Sequence, residues 1–345
     1  MKLILHIGGA KCGSSAIQQV IAENAARLRA AGILVPSARL SVEGKMLGQQ
    51  IQFFLRVVGQ PSGSVVVTRR LRALRREMSE HGLHTLVVSA ENLINPNVYA
   101  DLFARANDLF DVQIVAYVRR QDDYLISAWQ QWALKVHPSL DAFLDARVGV
   151  DANWSQLLVP WERQFGRERI VVRRFQRASL KAGDVVEDFF GVTGLPLEEI
   201  ERSHRLYNRS WNEHAGELAH RVRDMFEDQH DNRIFGDLRH AIGPAVYKDY
   251  SGSLLLTLEQ RREILAAYEE CNAAIRAKYF PNLPAEEPLF DPPDPDDVVE
   301  LNEVDRLRGQ QDLLVRALIG LTRRTRGLER TVARLEAAAE DAPGE

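Results

Sequence analysis

Apolar residues in this chain recur either in short unbroken runs or at the spacing of helices. Four runs have the length and branching of strands that are buried on both faces: residues 3–7, 85–89, 112–118 and 169–175. A shorter extended piece covers residues 33–36. Apolar residues at intervals of three and four predict helices over 14–31, 65–80, 98–109, 122–132, 153–165 and 185–190. Strands that alternate with helices predict an α/β domain with a parallel sheet and right-handed crossovers.

The pattern changes after residue 210 and again after residue 280. Helical spacing is clearest over 211–226 and 258–279, and residues 281–297 then hold six prolines and many acids, which predicts an extended linker. Residues 37–64 are polar and irregular around one short helix within 45–58. We therefore predict an α/β domain over 1–282, a Pro/Asp-rich linker over 283–297 and a separate helix over 298–340.

That last helix carries the pattern of a coiled coil. Its seam positions alternate spacings of three and four, and eight of the ten are apolar: Val304, Leu307, Gln311, Leu314, Leu318, Leu321, Thr325, Leu328, Val332 and Leu335. The two polar members are expected to fix register or strand number. Because one such helix leaves its stripe exposed, self-association into a homo-oligomer is the economical interpretation. Packing back on the domain and docking on another protein are the alternatives.

Composition narrows the class of protein. The chain has 345 residues, 45% of them hydrophobic, and a net charge of −4, which suits a large core and argues against general nucleic-acid binding. Two cysteines imply no disulfide framework, and a reducing cytosol fits. The N-terminal apolar run is too short for a signal peptide, and no stretch has the length of a membrane span. No residue spacing indicates a metal site.

Candidate chemistry begins directly after the first apolar run. Gly8, Gly9 and Gly13 surround Lys11, and Ser14 opens the first helix. Strand, glycine-rich turn and helix N-terminus together form an anion site, because the first helical amides point outward and glycine lets the backbone approach closely. A turn that binds nothing is the alternative. A Walker loop is excluded, since its lysine would follow Gly13 directly, and the glycine spacing of a dinucleotide fingerprint is also absent.

The order Lys-x-Gly-Ser/Thr-Ser/Thr resembles the 5′-phosphosulfate loop of sulfotransferases that use 3′-phosphoadenosine 5′-phosphosulfate (PAPS). The longer stretch HIGGAKCGSSAIQ is similar to bacterial members that act on carbohydrates. The resemblance implies that the loop binds the 5′-phosphate through residues Gly9, Ala10, Lys11, Cys12, Gly13, Ser14 and Ser15. The family usually has a small hydroxyl residue where this chain has Cys12.

A second motif follows the third long apolar run. Arg119 ends that run and Ser127 lies eight residues on, which resembles the 3′-phosphate motif of the same sulfotransferases. Asp123 matches a common acidic position, whereas Gln121 and Tyr124 depart from the family. An arginine offers a forked permanent charge to a phosphate and a serine adds a hydroxyl. The alternative is that Arg119 pairs with a neighbouring acid. The segment 170–175, the triplet Asn208-Arg209-Ser210 and the ending Tyr279-Phe280 extend the resemblance to about 1–282.

The resemblance also implies a general base. Glu91 follows the second long apolar run, where related carbohydrate sulfotransferases commonly place a catalytic glutamate, and His6 is the rival. Capping of the next helix is the alternative role of Glu91. Lys11 is expected to stabilise charge on the leaving phosphate. Cys12 is a weak candidate nucleophile, since direct transfer needs no covalent intermediate.

Together these features predict a P-loop-like three-layer α/β fold and a PAPS-dependent sulfotransferase. The expected acceptor is a hydroxyl of a polysaccharide or glycolipid, which rests on the resemblance. A nucleotide kinase or NTPase with a degenerate P-loop and a non-catalytic coiled-coil scaffold are the rivals. The arginine-rich segment 65–80 is expected to be a solvated face, with a landing surface for an anionic acceptor as the alternative.

Overall fold

The core of the fold is a five-stranded parallel sheet. A computed structural model of the chain describes residues 1–95, 99–201 and 210–340. The strands are β1 (Lys2–Gly8), β2 (Ile33–Leu34), β3 (Thr85–Ser89), β4 (Asp111–Val118) and β5 (Ile170–Arg174), in the order β2-β3-β1-β4-β5. The apolar runs form these strands because both faces are covered: Leu3, Ile4 and Leu5 are fully buried.

The position of β1 in the middle of the sheet decides where the candidate residues lie. Leu5 of β1 is in register with Val88 of β3 on one side and with Ile114 of β4 on the other. Since all three strands run in the same direction, the residues that follow them share one edge. The glycine turn after β1 therefore lies between the segments that begin with Glu91 and Arg119.

Helices connect and follow these strands. Their bounds are α1 (Ser14–Glu23), α2 (Ala25–Ala30), α3 (Ile51–Val57), α4 (Gly63–Glu80), α5 (Gln121–Gln131), α6 (Leu140–Arg147), α7 (Trp154–Phe165), α8 (Val185–Thr193), α9 (Glu213–Arg221), α10 (Arg233–Ile242), α11 (Leu258–Ala266), α12 (Glu269–Tyr279) and α13 (Glu303–Glu340). The fold class predicted from the sequence is confirmed: a P-loop-like α/β fold with a central parallel sheet flanked by helices, followed by a long C-terminal helix.

Four predicted helices differ in the structure. The helix over 211–226 is shortened to α9, which ends at Arg221, and a 3₁₀ turn at Arg223–Met225 follows it. The helix over 14–31 is interrupted at Asn24, whose side-chain amide donates to the carbonyl of Val20, and the helix over 258–279 is interrupted between α11 and α12. The segment 98–109 is not an α-helix in the part that the structure describes; it contains the 3₁₀ turns Ala100–Phe103 and Ala106–Asp108. Its Asp and Asn residues favour turns over continuous helix, and residue 98 lies outside the described residues.

The chain forms two compact units, which divide it differently from the sequence segments. The first contains Met1–Leu125, Val148–Asn208 and Arg262–Pro292, and therefore the whole sheet. The second contains Ile126–Arg147, Arg209–Arg261 and Pro293–Glu345. The predicted bounds 1–282, 283–297 and 298–340 stay predictions about independent domains.

The proline-rich segment is packed on the first unit over much of its length. Leu289 and Phe290 are buried, and the guanidinium of Arg174 donates to a carboxylate oxygen of Glu287 at 2.9 Å. Up to residue 292, the segment therefore lies on the first unit and does not extend freely. Within the second unit, Leu313 of α13 completes a small apolar core with Ala215 and Val246.

Among the residues that the structure describes, no helix is both long enough and apolar enough to cross a membrane.

Candidate active site

The glycine turn brings Lys11 to the start of α1. Lys11 has a φ of +62° and Gly13 a φ of +78°, so the backbone turns sharply twice within three residues. Gly13 is the N-cap of α1 and no side chain caps the helix. The first amides of α1 are therefore uncapped by side chains and face the same edge of the sheet as the turn. This arrangement suits an anion.

Packing requires glycine in this turn. A Cβ at Gly8, whose φ is +100°, would clash with the backbone carbonyl of Glu91. A Cβ at Gly13 would lie 2.8 Å from the ring of Phe175. The close approach at Gly8 has a second result: the end of β1 is in direct backbone contact with the residue proposed from the sequence as the base.

Arg119 and Arg120 follow β4 directly, yet they make different contacts. Arg120 is buried and forms a forked ion pair with the fully buried carboxylate of Asp122, at 2.8 and 3.1 Å. Arg119 is only half-buried, and its Nη1 donates to the carbonyl of Lys11 at 2.9 Å. The side chain of Arg119 thus reaches the glycine turn, whereas Arg120 is part of the scaffold.

Two aromatic residues hold Arg119 in position, a role that the sequence did not predict for them. The indole nitrogen of Trp154 donates to the backbone carbonyl of Arg119 at 2.8 Å, and the guanidinium lies 5.7 Å from the ring centroid of Phe175. The one signal in the sequence that could have identified Phe175 is its place directly after the apolar run of β5, at the same edge of the sheet. Trp154 is buried and is part of the core.

Glu91 and Arg119 are close enough to Lys11 to affect its pKa. Burial and, after it, the charge of Arg119 lower the pKa of Lys11 to about 8, and Glu91 opposes both effects. Burial raises the pKa of the Glu91 carboxyl, and Lys11 opposes that shift. A lysine with a lowered pKa and a carboxylate with a raised pKa in one cluster are typical of functional sites.

Cys12 and the two serines differ in what they present. Cys12 is fully buried, its thiol donates to the carbonyl of Ala10 at 3.4 Å, and burial raises its pKa to about 12, which disfavours a nucleophilic thiolate. The hydroxyl of Ser14 donates to the carbonyl of Gly9 at 3.1 Å and holds the turn together. Ser15 is exposed. The backbone N–H of Cys12 donates to the carbonyl of Gly9 at 3.2 Å, so Cys12 helps to shape the turn.

Ser127 lies on α5, two turns from the start of that helix. It belongs to the part of the chain assigned to the second unit, whereas Arg119 belongs to the first. The pairing of Arg119 with Ser127 on one phosphate therefore stays a prediction. Asn208 and Arg209, which extended the resemblance, lie outside the described residues.

His6 lies in the core beneath the turn. It is fully buried, its Nδ1 is 2.8 Å from the hydroxyl of Ser89, and its ring contacts those of Tyr117 and Phe189. Burial lowers its pKa to about 3. A neutral, fully buried imidazole has no surface for an acceptor, so the geometry favours Glu91 over His6 as the base.

The arginine-rich helix α4 faces solvent over most of its charged residues, as expected. Arg72, Arg75 and Arg76 line a cavity of about 500 Å³ beside Met1. Met1 precedes β1, so this cavity lies at the amino-terminal edge of the sheet. The strand separates that edge from Lys11 by about 20 Å. The three arginines are therefore not part of the cluster at the carboxyl edge.

Comparison with known proteins adds two likenesses. No protein-family model matches the chain. A protein of Archaeoglobus fulgidus described as uncharacterized is 27% identical over 202 residues, which are 56% of this chain and 54% of that protein. The match thus spans about half the length of the curated relative. The crystal structure of a sulfotransferase from Alicyclobacillus acidocaldarius is similar at a TM-score of 0.36 and 16% identity, covering 59% of this chain and 85% of that one. At that TM-score the likeness carries no functional argument.

Proposed function

We propose that the first unit transfers a sulfuryl group from PAPS to an acceptor hydroxyl. The observation that carries the proposal is the meeting of Lys11, Glu91 and Arg119 beside the uncapped N-terminus of α1. Two cations and a row of amides suit the phosphates of the donor, and a carboxylate of raised pKa suits removal of the acceptor proton. The motif order Lys-x-Gly-Ser-Ser supports PAPS over a nucleoside triphosphate.

Each residue has a role that follows from its place. Lys11 holds the 5′-phosphate together with amides of the turn and of the first residues of α1, while Arg119 holds the 3′-phosphate. The amides of Gly9 and Cys12 already donate to the carbonyls of Tyr117 and Gly9 and shape the turn. As the acceptor oxygen bonds to sulfur, its proton passes to Glu91 and the sulfur–oxygen bond to the phosphate breaks. The electron pair of that bond stays on the phosphate oxygen. Lys11 stabilises the charge that develops there, as a preorganised donor does in other transfer enzymes.

The acceptor is proposed to be a hydroxyl of a polysaccharide or glycolipid, and the protein to act in the cytoplasm. Both statements rest on the sequence resemblance and on composition. The arginines of α4 are not included in this acceptor site, because the cavity they line is at the other edge of the sheet.

Transfer of labelled sulfate from PAPS to a panel of cell-envelope glycans tests the proposal. Lys11→Ala is expected to lower kcat by about 10²- to 10³-fold, because it removes the cation at the leaving phosphate. Glu91→Gln is expected to lower it by about 10²- to 10⁴-fold, because the amide accepts no proton. Lys45→Ala, at an exposed lysine outside the site, is the matched control and should retain full activity.

Ligand binding separates this proposal from a P-loop kinase or NTPase. Adenosine 3′,5′-bisphosphate should raise the melting temperature without magnesium, because a ligand that binds the native state stabilises it. The same addition should have little effect on Lys11→Ala. Stabilisation by Mg-ATP alone, or an unchanged transfer rate in both site variants, would contradict the proposal.

A further inference from the structure

Helix α13 has two different faces, and only one of them is covered. On the covered face Leu313 and Gln310 are buried against the second unit. Two glycines let the helix approach closely: a Cβ at Gly309 would clash with the ring of His214, and a Cβ at Gly320 would clash with the backbone carbonyl of Ala241. The two glycines therefore let the helix pack closely on α9 and α10 through the face that also carries Leu313 and Gln310.

The leucine-rich seam is the other face, and it is exposed along its whole length. Its eight apolar side chains are between 48% and 68% exposed: Val304, Leu307, Leu314, Leu318, Leu321, Leu328, Val332 and Leu335. Gln311 and Thr325, the polar members, are exposed as well. Packing on the second unit thus leaves the seam uncovered, and a contiguous apolar stripe of this length marks an interaction surface.

We propose that a second copy of this chain covers the seam and forms a parallel, in-register, two-stranded coiled coil. In heptad notation every d position is leucine, at residues 307, 314, 321, 328 and 335. Three of the five a positions, Val304, Thr325 and Val332, are β-branched. β-Branched residues at a with leucine at d favour two parallel strands. Gly309, Gly320 and Gly327 all lie off the seam.

The polar seam residues select the parallel orientation. In a parallel, in-register pair Gln311 faces Gln311 and Thr325 faces Thr325, so each polar side chain meets a hydrogen-bonding group. In an antiparallel pair about the centre of the seam, Gln311 faces Leu328 and Thr325 faces Leu314. Burying an amide or hydroxyl against leucine costs free energy that the parallel pair avoids.

The flanking charges agree with the same register. In a parallel dimer a g residue faces the e residue five positions later on the other strand. Glu303 then faces Arg308 of the second copy, and Arg324 faces Glu329 of the second copy. The remaining g and e positions bring no two like charges together. Each attractive pair occurs twice by symmetry, which supports a second copy of this chain over an unrelated partner.

Sedimentation of the full chain with charge variants tests the pairing. The unmodified chain is expected to be a dimer. Arg324→Glu and Glu329→Arg should each raise the dimer Kd roughly tenfold, because attraction becomes repulsion at two symmetric places. The double variant should restore the original Kd. Arg323→Glu makes the same charge change on the outer face and should leave the Kd unchanged.

Disulfide trapping tests the orientation and does not depend on transfer activity. Leu328→Cys places a thiol opposite itself only in the parallel, in-register pair, so mild oxidation should give a covalent dimer. Arg330→Cys, on the outer face, is the matched control and should not cross-link. A monomeric chain would overturn the proposal. The proposal would also be overturned if cross-linking occurred only when Gln311→Cys and Leu328→Cys were combined, since that result indicates antiparallel strands.

Discussion

At the scale of single residues, the candidate site depends on which groups the fold turns toward one another. Lys11 and Arg119 carry like charges and are held together because Arg119 donates to the backbone carbonyl of Lys11. That contact keeps two cations close. Burial first, and the charge of Arg119 second, lower the pKa of Lys11. The sequence identified both residues, and it singled out Arg119 by its spacing to Ser127. The ion pair of Arg120 with Asp122 shows that the neighbouring arginine belongs to the scaffold.

The pH dependence of transfer is a prediction at this scale. Because Lys11 acts as a cation and its pKa is lowered to about 8, kcat/KM for PAPS should fall as pH rises above about 8. Arg119→Gln removes a like charge, so it should raise the pKa of Lys11 and move this alkaline limb to higher pH. The measurement is kcat/KM at several pH values.

The same profile has an acid limb that tests Glu91. Burial raises the pKa of its carboxyl. As pH falls, activity should therefore begin to be lost above the pH range in which glutamate ordinarily becomes protonated, and Glu91→Gln should remove that limb.

The alkaline limb has its own control. Arg72→Gln, at the other edge of the sheet, is the control for Arg119→Gln. An alkaline limb that does not move when Arg119 is replaced would contradict the electrostatic coupling.

At the scale of elements, the strands were predictable and the interruptions of helices were not. A strand buried on both faces needs an unbroken apolar run, so residues 3–7 and 112–118 could be recognised without the structure. The end of α1 at Asn24 depends on a side-chain hydrogen bond to Val20, which apolar spacing does not encode. Likewise, the seam of α13 is visible in the sequence. The second face is visible only where α9 and α10 pack on it.

The glycines of α13 give a prediction at this scale. Gly320→Ala should lower the melting temperature, because the new methyl group would clash with the carbonyl of Ala241. Gly327→Ala, in the same helix with open space around it, should increase stability by up to about 1 kcal/mol through helix propensity. Thermal melting with hydrogen exchange in α10 and α13 measures both. Stabilisation by both alanines would contradict the packing of α13 on α10.

At the scale of the whole molecule, the chain has a sheet-based unit and a helical unit whose last helix exposes an apolar seam. The sequence separated the C-terminal helix from the rest at residue 298. Its independence as a domain stays a prediction; in the structure Leu313 of that helix lies in the small apolar core of the second unit. Helical segments far apart in the chain form this unit, so no local pattern revealed it. Deleting the whole helix would therefore damage a folded unit as well as remove the seam.

Two truncations test this organisation. Removing residues 328–345 takes away residues 328–337 of α13, all of which are exposed, together with the segment that follows them. Transfer activity should therefore stay within about twofold while the dimer weakens. Removing residues 303–345 also removes Leu313 and Gln310, and the melting temperature should fall because Ala215 and Val246 become exposed. Sedimentation, melting curves and the transfer assay are measured on both. Equal melting temperatures for the two truncations would show that α13 does not stabilise the second unit.

The placement of β1 between β3 and β4 has a consequence for biosynthesis. The three groups of the candidate site come from segments that are about eighty and thirty residues apart in the chain, and they meet only when the central strands pair. Contacts between distant segments form late and slowly compared with local helices. In a nascent chain the candidate site therefore stays incomplete until β4 and Arg119 have left the ribosome, although β1 and the glycine turn emerge first.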